Sequence, residues 1–313
     1  MNINATIEND ANLADLDKLT FGTELEMIGI DIEKAARVLA EYFGSTPHYI
    51  GTYYRKWGVP MNDGTGREFV CMSDGSLRDT TGRGSVEVVT PILHLRDMEK
   101  LQKAVRALRE AGAKANFSCG MHVHVGAAHL DAEQVANCAR IFYREEALLV
   151  KAAGVLPERL GRWCQRTSET FRSEIFTRRF RTFDDLNRAW FGCFTPHPEH
   201  YNPARYRTLN LNNLWNEKKT IEFRVFNGTT HAGEIRANIL LALALVRYAA
   251  KVRHVSRRAQ LATNGLDEKY NFRGFMKRLG MLGDYFKNPR KRFLDNLAGA
   301  SSECAARVLS RAS

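Results

Sequence analysis

Apolar residues recur along this chain at two spacings, and each spacing predicts a different element. Alternation over Thr20 to Ile28 predicts a strand. Asp31 to Phe43 then places Ile32, Ala35, Ala36, Leu39 and Phe43 on one side of a helix, with Gly44 at its end. Between Gly51 and Gly84 the chain is rich in Gly, Thr and Asp, and reads as short strands and turns. Val86 to Thr90 is a strand stopped by Pro91. Leu95, Met98, Leu101, Val105 and Leu108 define a second amphipathic helix ending near Gly112. Met121 to Gly126 alternates again, and Asp131 to Gln134 has the form of a capping box opening a helix that runs to about Ala153. The stretch from Glu158 to Asn202 is aromatic and basic, and yields only helical fragments. Thr220 to Phe226 is a further strand, followed by an apolar helix from Glu234 to about Val252. Its most apolar run, Ile239 to Val246, lies between Arg236 and Arg247. That is far short of the ~20 residues needed to span a bilayer, so a buried helix and no membrane association are expected.

Successive side chains of a strand point to opposite faces. In Phe21 to Met27, Glu24 and Glu26 share one face, opposite Phe21, Thr23, Leu25 and Met27. In the Val86 strand, Glu87 faces away from Val86 and Val88. His122 and His124 share a face, opposite Met121, Val123 and Val125. Glu222 and Arg224 share a face, opposite Ile221, Phe223 and Val225. Any one of these patterns fits a strand with a solvated side, and Glu87 alone between valines fits a solvated position. Their repetition points to one sheet with an apolar side for helices and a side gathering carboxylates, imidazoles and a guanidinium. Clustered carboxylates repel, and a cation removes the conflict. Carboxylates with little imidazole suit Mg²⁺ or Mn²⁺ better than soft-ligand metals.

Composition narrows the class. The chain has 313 residues, 44% hydrophobic and 26% charged, which fits a globular protein and excludes global disorder. The formal charge is +11. Fourteen Lys/Arg against five Asp/Glu in residues 251–313 supply +9 of it. A solvated helix face accounts for such a run, and an acidic partner or nucleic acid is the alternative. Six dispersed cysteines form no C-x-x-C pair. Met1 to Leu19 is polar and acidic, without the basic and apolar regions of a signal peptide. Reduced thiols in a cytoplasmic compartment are expected. The expected organisation is a loosely held leader at 1–18, a catalytic domain at 19–254 and a basic, helical appendage at 255–313.

Phe21-Gly-Thr-Glu-Leu-Glu26 resembles the F-G-x-E-x-E strand of the amidoligases, relatives of glutamine synthetase and glutamate–cysteine ligase. Further motifs follow in the family's order. Asp74-Gly-Ser-Leu77 precedes Val86-Glu-Val-Val-Thr-Pro91, and Cys119-Gly-Met-His-Val-His-Val125 resembles the G-M-H-x-H strand of glutamine synthetase. Arg205-Tyr-Arg-Thr-Leu-Asn210 is similar to the R-Y-x-x-x-N segment of the glutamate–cysteine ligase branch. Asn212-Asn-Leu-Trp215 and Thr220 to Thr229 complete the pattern, which covers roughly Leu19 to Val252.

The resemblance implies an α+β fold of glutamine synthetase type, a curved, largely antiparallel sheet with helices on its outer face. It implies an ATP-dependent carboxylate–amine ligase that makes an amide or peptide-type bond through an acyl phosphate. Glu24, Glu26, Glu87, His122 and Glu222 would hold Mg²⁺ or Mn²⁺. His124, Arg224 and Arg205 would face the ATP phosphates, with Arg224 against the transferred phosphoryl group. Asp74, Ser76 and Asn210 would meet the substrates, and Asp74 would orient or deprotonate the amine. Glutamine synthetase carries a pair of glutamates where Glu87 stands alone, and no P-loop is present. The partners implied are an amino-acid or peptide carboxylate and an amine. The arginines between Arg159 and Arg181 would suit an acid with several carboxylates. Trp163, Trp190 and Phe191 read as packing residues.

Two other classes fit parts of the chain. A metal-dependent hydrolase or cupin-like enzyme would use His122 and His124 with a third histidine from His129, His197 or His200. A non-catalytic nucleic-acid-binding protein would use the basic tail, where Phe272, Phe275, Tyr285 and Phe286 interleave with Lys and Arg.

Overall fold

A computed structural model describes residues 3–199, 201–256 and 268–299. His200, Cys304 and the tail segments 257–267 and 300–313 lie outside the described residues. The chain divides into two compact units, residues 1–124 with 226–239 and residues 125–225 with 240–313. This cuts the chain differently from the linear division into leader, catalytic domain and appendage.

The first unit opens with α1 (Ile3–Glu8) and α2 (Ala11–Asp17). Asp10 caps α2 by accepting from the Asn12 and Leu13 amides. Leu13 and Leu16 are fully buried, and Asp17 binds the Arg96 guanidinium and backbone amide. The expected loose leader is therefore packed, because its apolar residues fall at helical spacing and its last acid finds a partner. Strand β1 (Phe21–Ile28) follows, then α3 (Ile32–Phe43), capped by Asp31 and ended by Gly44 at φ 62°. That left-handed conformation favours glycine. The Gly-rich stretch resolves into β2 (His48–Gly51), β3 (Lys56–Pro60) and β4 (Glu68–Met72), with β5 (Ser85–Val89) after it. Helix α4 (Met98–Glu110) leads to β6 (Gly120–Gly126).

The second unit carries α5 (Ala132–Ala152), opened by the Asp131/Gln134 capping box. Residues 158–202, which gave only fragments in sequence, hold α6 (Pro157–Arg162), α7 (Glu169–Ile175) and α8 (Phe183–Phe191). Ser168 and Thr182 cap the last two. Strands β7 (Leu209–Asn210) and β8 (Thr220–Asn227) precede the apolar helix α9 (Ala232–Lys251). Ile239 to Val246 are at most 1% exposed, as a buried helix requires. No helix among the described residues is long and apolar enough to cross a membrane. The described tail forms α10 (Glu268–Arg278) and α11 (Lys287–Asp295), which pack on α5.

The strands make one open antiparallel sheet in the order β2-β3-β4-β5-β1-β6-β8-β7, giving an α+β fold. Strands β6 and β8 run through both units. Within the first unit the Gly228 amide donates to the Cys119 carbonyl at 2.9 Å, and within the second Ala127 donates to Lys219 at 2.8 Å. In the first unit α3 packs on β3, β4 and β5. This covers the apolar side of the sheet, where Leu25, Met27, Val86 and Val88 are buried.

Candidate functional site

The register of the central strands decides where the chemistry falls. Strand β5 pairs with β1 so that Glu26 and Glu87 are direct cross-strand partners. Strand β6 lies on the other side of β1. Alternation therefore brings Glu24, Glu26, Glu87, His122 and His124 to one neighbourhood of the first unit. A Glu24 carboxylate oxygen lies 2.9 Å from His122 Nδ1, and its other oxygen lies 3.1 Å from His124 Nε2. Glu26 Oε1 is 3.8 Å from His122 Nε2, and Glu26 Oε2 accepts from the Gly120 amide at 2.5 Å.

This side is not solvated. Glu26 is 5% exposed, Glu87 8%, His122 4% and His124 8%, so the reading of polar residues on a wet strand face fails. Burial pushes the Glu24 carboxyl up, but His124 and then His122 outweigh it and hold the group well below the usual carboxylate range. Three carboxylates and two imidazoles offer more oxygen than nitrogen donors. That donor set matches what hard divalent cations such as Mg²⁺ and Mn²⁺ take.

The second unit gathers Asn210, Glu222 and Arg224, where Asn210 and Glu222 are cross-strand partners of β7 and β8. Glu222 accepts from Asn210 Nδ2 at 2.6 Å, Asn213 Nδ2 at 3.1 Å and Arg224 Nη1 at 2.6 Å. All but Asn213 are buried. The Arg224 guanidinium lies 5.9 Å from the Tyr206 ring centre, and its Nε donates to the Trp163 carbonyl at 3.4 Å. Arg205, half-buried, sits 5.7 Å from the ring centres of both Tyr201 and Tyr206. Glu146 is buried and accepts from the hydroxyl of Thr208, the residue before β7. Burial pushes its carboxyl up against the pull of that bond.

Asp74 and Ser76 stand in the loop after β4, where Asp74 accepts from the Ser76 amide at 2.5 Å in a local turn. Met72, two residues earlier, is the cross-strand partner of Glu87. His129 and His197 are exposed. Trp190 is 8% exposed and donates to Asn212 Oδ1 at 2.7 Å, a packing role as expected. In the tail, Phe272, Phe275 and Phe286 are at most 1% exposed, so these rings fill a helical core and do not offer stacking faces.

Asn213 lies in the Asn-Asn-Leu-Trp segment, but nothing in that motif marks it as a partner of Glu222. Arg159 stands in sequence as one of several basic residues of its segment. Arg159 is 1% exposed, and no motif marks it.

No curated protein matches the chain. A family model described as "Putative amidoligase enzyme" matches residues 17–246, most of the 313 residues. The match begins before the β1 carboxylates and ends within α9, so it contains every residue of both clusters. The chain therefore belongs to the amidoligase family.

Proposed function

We propose that the protein is an ATP-dependent carboxylate–amine ligase. The observation that carries this reading is the convergence of Glu24, Glu26, Glu87 and two histidines on three neighbouring strands, with Glu24 half-buried and the other four buried. In this reading Glu24, Glu26, Glu87, His122 and Glu222 hold Mg²⁺ or Mn²⁺. When bound, the ion neutralises charge between phosphates. His124, Arg205 and Arg224 face the ATP phosphates, and Arg224 stabilises charge on the transferring phosphoryl group. Asn210 and Asn213 act by orienting Glu222, since both donate to its Oε2. Asp74 and Ser76 position the amine, and Asp74 accepts its proton.

The γ-phosphoryl group of ATP moves to a substrate carboxylate oxygen, giving ADP and an acyl phosphate. The amine then attacks the acyl carbon, phosphate leaves and an amide remains. An amino-acid or peptide acid is the substrate class. Free cysteines at Cys71, Cys119, Cys138, Cys164 and Cys193 fit work in a reducing, cytoplasmic compartment.

The exposed His129 and His197 give little support to a hydrolase built on a third histidine. The test is release of ADP and phosphate from ATP and Mg²⁺ with a panel of amino acids and peptides. Loss of this release in Glu24→Gln and Glu222→Gln is expected. Ligation retained in either variant would remove the metal assignment, and no ADP release with any acid would remove the ligase.

A further inference from the structure

Arg159 poses a physical problem that its neighbours do not solve. Its side chain is among the largest fully buried ones in the molecule, at 1% exposure. Among the described residues no carboxylate pairs with it; Nη2 makes a long bond of 3.4 Å to the Arg224 carbonyl, and the side chain also meets the neutral Cys164 thiol. Its Nε has no hydrogen-bond partner. A buried cation without a counter-ion is costly, and such groups persist where another interaction compensates them.

The surroundings say which interaction. Arg159 and Arg224 clasp one another through the chain. Arg159 donates to the Arg224 carbonyl, and Arg224 Nε donates to the Trp163 carbonyl one turn beyond Arg159. The Trp163 amide in turn donates to the Arg159 carbonyl at 2.9 Å. Both guanidinium groups act on the Cys164 thiol, which burial pushes up and the two cations pull back. Arg205 adds a third cation over the same Tyr206 ring that Arg224 faces. Of these cations, Arg224 is balanced by Glu222. The positive charge of Arg159 is left over.

We propose that Arg159 is the buried cationic arm of a phosphate-class anion site centred on Arg224, its charge compensated only when a polyphosphate binds. It is a positioning residue: it acts through the Arg224 backbone and through its field, and does not touch the ligand. This deepens the ligase reading and rests on it for the identity of the anion as the ATP phosphates.

The experiment uses the full chain, inorganic pyrophosphate as probe, and two neutral replacements. Arg159→Met removes the charge and keeps the volume; Arg159→Gln removes the charge and keeps a donor for the Arg224 carbonyl. Pyrophosphate is titrated calorimetrically, and melting is followed with and without it. Both variants should bind pyrophosphate at least tenfold more weakly. Arg159→Met should also melt higher than the parent without ligand, since replacing an uncompensated buried ion by an apolar group relieves its desolvation. A merely structural arginine would lower the melting point and leave the pyrophosphate affinity unchanged in whichever variant folds; that result overturns the proposal. Arg159-dependent pyrophosphate binding in a protein that releases no ADP would keep this inference and reject the ligase. ADP release with unaltered KM for ATP in Arg159→Gln would keep the ligase and reject this inference.

Discussion

Glu87→Gln separates a cation-holding carboxylate from a structural one, because the two roles predict opposite changes in stability. Glu87 and Glu26 are direct cross-strand partners at 8% and 5% exposure. Side chains so placed have Cβ atoms about 5 Å apart. Two like charges at that distance repel by roughly 3 kcal/mol at an effective dielectric constant near 20. His122, 3.8 Å from Glu26, offsets part of this. A net relief of about 1–2 kcal/mol is therefore expected when the Glu87 charge is removed with little change of shape. Ligand linkage works in the other direction. Mn²⁺ at a hundredfold excess over its Kd stabilises the parent by about 2.7 kcal/mol. The variant, short of one oxygen donor, should lose at least half of that gain. The assay is urea unfolding in chelator and again in Mn²⁺. The expected pattern is a higher midpoint than the parent in chelator and a gain on adding Mn²⁺ at most half the parent's. A variant less stable than the parent in chelator that keeps the whole Mn²⁺ gain would refute the reasoning, and would make Glu87 a hydrogen-bond acceptor of the sheet.

Two further predictions concern the scaffold. Arg67, just before β4, forks onto Asp97 at 2.7 and 3.1 Å and also binds Asp63 at 2.8 Å. Burial pushes Asp97 up, but Arg67 outweighs it; Thr65 and Arg67 likewise hold Asp63 low. Both folded-state pKa values lie below the unfolded value near 4, so this stability is present above pH 4 and lost as pH falls through the depressed values. Arg67→Met should cost about 2–3 kcal/mol at pH 7 and progressively less toward pH 2, read from urea melts; an equal cost at both ends would sink the ion-pair account. At Gly228 an added Cβ would stand 2.4 Å from the Cys119 Cβ and 2.9 Å from its backbone carbon. Gly228→Ala should cost about 1–3 kcal/mol, whereas Gly161→Ala, with open space around it, should be neutral or stabilising by about 0.5 kcal/mol; equal melting shifts in the two would contradict the packing at the β6–β8 end.

The legible parts of this molecule are those governed by backbone period. Alternation on β1, β5, β6 and β8 assigns Glu24, Glu26, Glu87, His122, Glu222 and Arg224 to one side of their strands without any tertiary knowledge, because a strand has only two faces. Caps are equally local: Asp31, Gly44 and Asp131 mark the ends of α3 and α5 through bonds to residues three or four positions away. The register of β1 against β5 was not legible, since a shift of one residue changes the partner of Glu26 without changing either strand's pattern. The short helices α6, α7 and α8 were also obscure. Their apolar residues pack in only one or two turns, too few for a period to declare itself.

Arg159 is the sharpest case of what sequence hides. In a segment with many arginines it looks like one more solvated cation, and charge counts treat all of them alike. What sets it apart is 1% exposure and a partner set made of a backbone carbonyl and a thiol rather than a carboxylate. Carbonyls belong to every residue and leave no trace in a motif. The same holds for the Trp163 carbonyl that fixes Arg224. A carboxylate cluster announces itself because its members must be a few residue types at fixed parity; a cationic site built on the main chain does not. Burial and missing counter-charge, which only coordinates supply, are therefore the observables that separate a functional arginine from its exposed neighbours in this family member.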